Sequence, residues 1–292
     1  MVDSTSTAGR PDDRTASWFC PTCQVNVATP FCAQCGEEPL APSELTWRGV
    51  VEKAAHALTS IDARTARSAR TLLRHPGRLT LAWTEGVRKA YVAPFQLFLI
   101  ANVLFFAIQW LTGENVFSSS LDSHLHGQDW SELAQTLVAR RLEATRLSLD
   151  QYRPIFDRAV VLNAKSLILL MTFPFALLLP LVFLRERRPF MTHVTFSVHL
   201  YTFLLLVFGV ALLAARANAL LGFGGLETPR VDNVLSVVNL AAGAAYIHLA
   251  IGPVYGVTGA RRIASTLVLA FAVAAIVLGY RFALLLITLY PT

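Results

Sequence analysis

Charge is what this chain has least of. Only 15% of its 292 residues are Asp, Glu, Lys or Arg, against roughly 25% in an average soluble domain. The deficit is local: Pro94–Leu111, Leu167–Leu184, Val194–Ala215, Val234–Val257 and Ile263–Tyr290 carry almost none. A bilayer core of roughly 30 Å needs about 20 helical residues, and each stretch comes close to or exceeds that. The chain therefore reads as an all-α polytopic membrane protein with five transmembrane helices. That excludes a soluble enzyme and a secreted disulfide scaffold. Recognisable chemistry is also scarce. No HExxH, no paired carboxylates and no Gly-rich phosphate loop occur. The five apolar stretches contain no acid, which weakens ion-coupled transport and carboxylate catalysis alike.

The charges that remain, net +6, are arranged. Residues 45–92 hold nine Lys or Arg against three acids, whereas 112–166 hold six against seven. The 185–193 turn, RERRPFMTH, has three Arg and one Glu, 216–233 balances two against two, and Arg261 and Arg262 flank the last stretch. Positive flanks alternate with neutral ones, as the positive-inside rule asks. This places the N-terminus in the cytosol and, after five spans, the C-terminus outside. Arg281 falls within the last stretch. It either snorkels at the outer interface, the preferred reading, or faces the bundle as a buried charge.

Cysteine is as restricted as charge. All four lie within sixteen residues, as Cys20-Pro-Thr-Cys23 and Cys32-Ala-Gln-Cys35-Gly36. Two C-x2-C knuckles offer four thiolates to one tetrahedral ion, which selects Zn²⁺, one structural ion per chain. A cytosolic position makes disulfides the poorer alternative. Residues 18–40 are thus a small zinc ribbon behind a polar tail, 1–17, that has no apolar run of its own and reads as disordered. Between Arg14 and Arg48 there is no Lys or Arg, while Glu37, Glu38 and Glu44 are acidic, so no nucleic acid is expected to bind. Zinc folds a segment too small for a core, and Trp18, Phe19 and Phe31 offer a surface for a cytosolic protein partner.

Residues 41–92 form a cytosolic juxtamembrane region. Trp47, Val50, Val51, Ala54, Leu58 and Ile61 recur on one helical face. Arg64, Arg67, Arg70, Arg74 and Arg78 make a second stripe, and Pro76-Gly77 ends the helix. A basic amphipathic segment beside a membrane lies on the anionic inner leaflet. The same surface could instead grip a lipid head-group phosphate, with His56 and Asp62 as an acid–base pair.

The chain resembles an uncharacterised family of bacterial membrane proteins that carries a domain of unknown function. The matching pieces are CPTC and CAQCGEE, the helix with His56 and Asp62, TLLRHPGRLTLAWTEGVRKAYVAPFQLFLIANVLFF, and RERRPFMTHVTFSVHLYTF. The resemblance implies a zinc ribbon followed by several spans of the bacterial inner membrane. It also implies that Pro76, Gly86, Arg88, Tyr91, Pro94, His193 and His199 belong to a recurrent pattern. It supplies no reaction.

Within the spanning domain, 93–292, depth along each span suggests a polar layer. Asn102, His199 and His248 lie about 12, 8 and 14 Å from the cytosolic side at 1.5 Å per residue, with Tyr201 and Tyr246 beside them. They read as interhelical hydrogen bonds, as a metal or proton site together with His193, or as the lining of a conduit. The external loop 113–164 shows Asp129-Trp-Ser-Glu132 as a capping box, Pro154 as a helix start, and His124 and His126 beside Asp122 as a weak ligand pattern. Leu133, Leu137, Leu142, Tyr152 and Phe156 read as amphipathic helices on the outer leaflet. Together these features describe a non-enzymatic integral inner-membrane protein. Its ribbon docks a cytosolic protein and its bundle binds or passes a lipid or small solute. The alternative is a membrane-embedded, metal-dependent enzyme acting on a lipid head group at the cytosolic face. Its candidates are His56, Asp62, Glu85 and Arg88, with His193 and His199.

Overall fold

The computed structural model describes residues 17–37, 63–113, 119–226 and 228–291. The tail, most of the helix expected from Leu45, and His56 and Asp62 lie outside the described residues. The chain begins with a two-stranded antiparallel hairpin, β1 (Trp18–Phe19) and β2 (Asn26–Val27), with Trp18 opposite Val27. Helix α1 (Ala63–Arg74) follows; it buries Thr65, Ser68 and Leu72 and exposes Arg64, Arg67, Arg70 and Arg74. It stops before His75-Pro76-Gly77, because a residue preceding proline is pushed out of the helical region. Gly77 takes φ 84° as the residue before α2 (Arg78–Thr84). Its backbone touches the bundle so closely that a Cβ would sit 2.6 Å from the Ala250 carbonyl oxygen.

Next comes α3 (Pro94–Thr112), with Pro94 in its first turn, where a missing N–H costs nothing, and Gly113 at φ 76° closing it. Two short helices follow, α4 (Leu121–His126) and α5 (Ser131–Thr145), then α6 (Leu149–Leu167), a 3₁₀ turn (Ile168–Met171) and α7 (Thr172–Val182). Three long helices complete the chain: α8 (Phe190–Leu220), α9 (Pro229–Tyr255) and α10 (Gly259–Leu289).

Four helices, α3, α8, α9 and α10, are long and apolar enough to cross a membrane. The expected span Leu167–Leu184 is not a straight helix. It is the second half of a broken pair, α6 and α7, bent by 56°. The bend falls between Ala164 and Leu169, where the helix gives way to the 3₁₀ turn. The expected caps also shift. Helix α5 starts at Ser131 with no side-chain cap, because the residue at its N-cap is Trp130; the Ser131 hydroxyl turns back to Gln128, accepting from its N–H at 3.1 Å and donating to its carbonyl at 2.6 Å. Asp129 therefore does not cap. Helix α6 starts five residues before Pro154, at a reciprocal Ser148–Gln151 capping box that the sequence reading missed (Ser148 N–H to Gln151 Oε1, 3.0 Å; Gln151 N–H to Ser148 Oγ, 3.4 Å).

Contacts give the directions. Phe98 lies beside Tyr201 and Leu204, and Gly209 meets Phe105 and Ile108, so α3 and α8 run parallel. Helix α9 returns antiparallel to α8, with Tyr246 stacked on Phe203 at 4.3 Å and Gly243 against Leu204. Helix α10 turns back again; the Arg262 guanidinium donates to the His248 carbonyl at 2.6 Å. At one end of the pair, Asn163 of α6 donates to Thr288 at 3.0 Å, and the Ala164 carbonyl accepts from Tyr280 at 3.0 Å. At the other end, Phe183 stacks on Tyr255 and Glu186 pairs with Arg261. The broken pair thus runs from the late part of α10 to its start. Helix α8 is the most enclosed of the four long helices, and α9 and α10 the least.

Candidate functional site

The four cysteines come together on two similar turns. In the first, the Cys20 carbonyl accepts from Gln24 N–H at 2.8 Å; in the second, the Cys32 carbonyl accepts from Gly36 N–H at 2.7 Å. Each turn closes on a left-handed residue directly after its second cysteine, Gln24 at φ 58° and Gly36 at φ 72°. All four Sγ atoms lie within 4.8 Å of one another, and Cys20 and Cys32 are buried. Tetrahedral sulfur ligands about 2.3 Å from an ion stand a little under 4 Å apart, so the cage suits such an ion. The backbone N–H of Cys35, opposed by burial and helped by that of Gln34, holds the Cys32 thiol down at about 7. Among the described residues this is the only group of three or more His, Cys, Asp and Glu that could hold a metal ion.

Glu37, seen in the sequence only as a negative charge, ties the cysteine segment to the rest of the chain. It is buried, and its Oε2 accepts from Thr22 at 2.8 Å and from the backbone N–H groups of Arg88 and Lys89, each at 3.3 Å. Pro21 packs against Gly86, whose φ of 92° only glycine adopts readily. The cysteine turns are therefore seated on the 85–93 linker before α3. Phe19 and Phe31 face outward, 59% and 56% exposed. Ser68 fastens the same linker from below by accepting from Val92 N–H at 3.0 Å. Arg67 reaches the Ala90 carbonyl, while Arg78 continues the exposed stripe of α1. Arg88 lies over the Trp83 ring at 5.0 Å, and Glu85 is exposed at the end of α2.

The histidines expected in one layer each find a separate hydroxyl. His199 Nδ1 pairs with Thr80 of α2 at 2.8 Å, His193 Nδ1 with Tyr255 at 2.9 Å, and His248 Nδ1 with Thr266 at 3.1 Å. His193 is further held in a stack, Phe183–Tyr255–His193. Asn102 joins none of these bonds. Its Nδ2, His199 Nε2 and Tyr201 OH are buried with no hydrogen-bond partner among the described residues. In the loop, His124 and His126 point apart. His124 is fully buried and accepts from the Trp130 indole at 3.3 Å, whereas His126 is exposed beside Asp122. Burial, then the nearby Arg281 guanidinium, push His124 down to about 4. Tyr152 and Phe156 are fully buried in the core, so this part of the loop packs inward.

One cavity was not foreseen. It has a volume of about 740 Å³ and opens between α8, α9 and α10, away from α2. Its wall is apolar, from Leu200, Leu204, Phe208, Gly243, Ala270 and Ala274. Its mouth is polar, with Asp232, Ser236, Asn239 and Arg281, and with Ser119, Ser120, Ser123 and Gln128 from in and around α4. Arg281 is half-buried and lines this space.

A family model described as "Protein of unknown function (DUF3667)" matches residues 62–106. The match spans α1, α2 and most of α3, including Pro76, Gly86, Arg88, Tyr91 and Pro94. His193, His199 and the cysteines lie outside it. No curated protein and no solved structure matches the chain.

Proposed function

We propose that this is a non-enzymatic integral protein of the bacterial inner membrane whose helical bundle holds a lipid. In this reading the chain crosses the bilayer five times, with the broken α6–α7 pair as the second crossing. The parallel course of α3 and α8 requires a return between them. The α2 end is cytosolic and the C-terminus outside, in keeping with the arginine-rich flanks. The cysteine segment is a zinc ribbon that stiffens the 85–93 linker and offers Phe19 and Phe31 to a cytosolic protein. Arg64, Arg67, Arg70, Arg74 and Arg78 rest on the anionic leaflet, each contributing about 1 kcal/mol near the surface.

The cavity carries the proposal. Its volume lies within the roughly 300–1,000 Å³ usual for small-molecule sites. It is apolar over most of its wall and polar at one end, which is the profile of an amphiphile. The enzyme alternative has less support. Glu85 is exposed while Arg88 lies over Trp83, and His193 and His199 are each committed to a hydroxyl.

Mass spectrometry of lipids retained by detergent-purified protein tests this. The wild-type chain is expected to retain about one amphiphile, and Ala274→Phe, which fills the wall, to lose it. No retained lipid in the wild type, or equal retention by both, overturns the reading.

A further inference from the structure

The geometry points to a zwitterionic aminophospholipid as the occupant of this cavity, its phosphate on Arg281 and its amine on Asp232. The inference rests on the lipid-holding reading above and deepens it. Arg281 follows Ile263, at the α2 end of α10, by 18 residues, a rise of about 27 Å. That sets the guanidinium at the opposite head-group level of a bilayer roughly 30 Å thick. The apolar wall, through Leu204, Gly243 and Ala274, runs from there toward the midplane. A lipid of the outer leaflet would enter head at the rim and chain inward, with no inversion.

The rim carries one charge of each sign. Arg281 is half-buried, and its planar fork suits phosphate oxygens. Asp232 sits in the first turn of α9 on the same rim, exposed, and its charge is felt by Arg281. A phosphate alone would satisfy the arginine but meet the carboxylate as a like charge. A head group with phosphate and a protonated amine matches both. Asn239, whose Oδ1 is buried without a hydrogen-bond partner among the described residues, adds an acceptor suited to an ammonium donor. The polar residues of α4 border the mouth on its open side. An anionic glycerolipid or a fatty acid carries the phosphate or carboxylate but no amine, so the rim discriminates against both.

Native mass spectrometry of the delipidated full-length protein, titrated separately with phosphatidylethanolamine, phosphatidylglycerol and palmitate, tests this. Phosphatidylethanolamine is expected to bind at least five-fold more tightly than either competitor. Asp232→Asn, at an exposed position with little bearing on folding, should erase that preference while leaving phosphatidylglycerol bound. Arg281→Gln should weaken both phospholipids about ten-fold, with Arg281→Lys recovering part of the loss. Equal binding of the two phospholipids to the wild-type chain, or a preference that survives Asp232→Asn, overturns the head-group assignment while leaving a lipid site in place. Loss of lipid retention altogether is the separate failure of the underlying reading.

Discussion

The α2 end of the bundle and the end near α4 are made from the same apolar helices, yet one is sealed and the other stands open. At the α2 end, three histidines meet three hydroxyls, Phe183, Tyr255 and His193 stack in series, and the Gly77 turn presses backbone to backbone on α9. Toward the far end, a cavity remains between α8, α9 and α10, lined by small residues such as Gly243, Ala270 and Ala274. Apolar composition sets how many helices the chain has. Whether they close on one another depends on side-chain size and on polar groups that find specific partners.

That contrast can be broken most severely at Gly77. Gly77→Val would combine a strained left-handed backbone with a clash against the Ala250 carbonyl. A cost of about 3 kcal/mol or more follows, read as a fall in Tm in detergent. An unchanged Tm would mean that the sealed end is not sealed by this contact. Removing one hydrogen bond is milder. Ser68→Ala leaves the buried Val92 N–H without its acceptor and should cost about 1–3 kcal/mol, while Tyr255→Phe should cost about 1 kcal/mol.

At the far end the probe is acid. His124 is neutral when folded, held down to about 4, whereas in the unfolded chain it titrates near 6.5. The unfolded state therefore binds more protons between these values, so stability is complete above about pH 6.5 and is lost as pH falls toward 4. Tm measured across that range should decline in the wild type, and His124→Gln should flatten the decline. The smallest effect on stability belongs to the cavity wall. Ala274→Phe should leave the unfolding free energy within about 0.5 kcal/mol of the wild type while displacing lipid. A large loss there would show the far end to be as tightly packed as the near one.

Much of this architecture was legible in advance. The four long helices fall where charge is missing, and the cysteine spacing named the residues that come together. The second span was not legible as drawn, because hydropathy registers apolar composition and not a bend in the helix axis. The three histidines make interhelical hydrogen bonds, but to separate hydroxyls, because depth along a span fixes height but not azimuth. His199 therefore faces α2 while His248 faces α10. Glu37 was hidden because its partners are backbone N–H groups some fifty residues away, which no side-chain pattern signals. The cavity is an absence between helices, and of its two charged residues, Asp232 and Arg281, only Arg281 was visible as an anomaly.

The parallel pairing of α3 and α8 has a consequence for the order in which the molecule assembles. Helix α3 ends at Thr112 and its main partner begins at Phe190. At a synthesis rate of about 5–20 residues per second, the intervening segment takes on the order of 4–15 s to emerge. Throughout that interval α3 waits without the surface it will bury, with the Asn102 and Gln109 side chains among its uncovered polar groups. A nascent chain halted after α7 should therefore be a target for membrane quality control, and one halted after α8 should not.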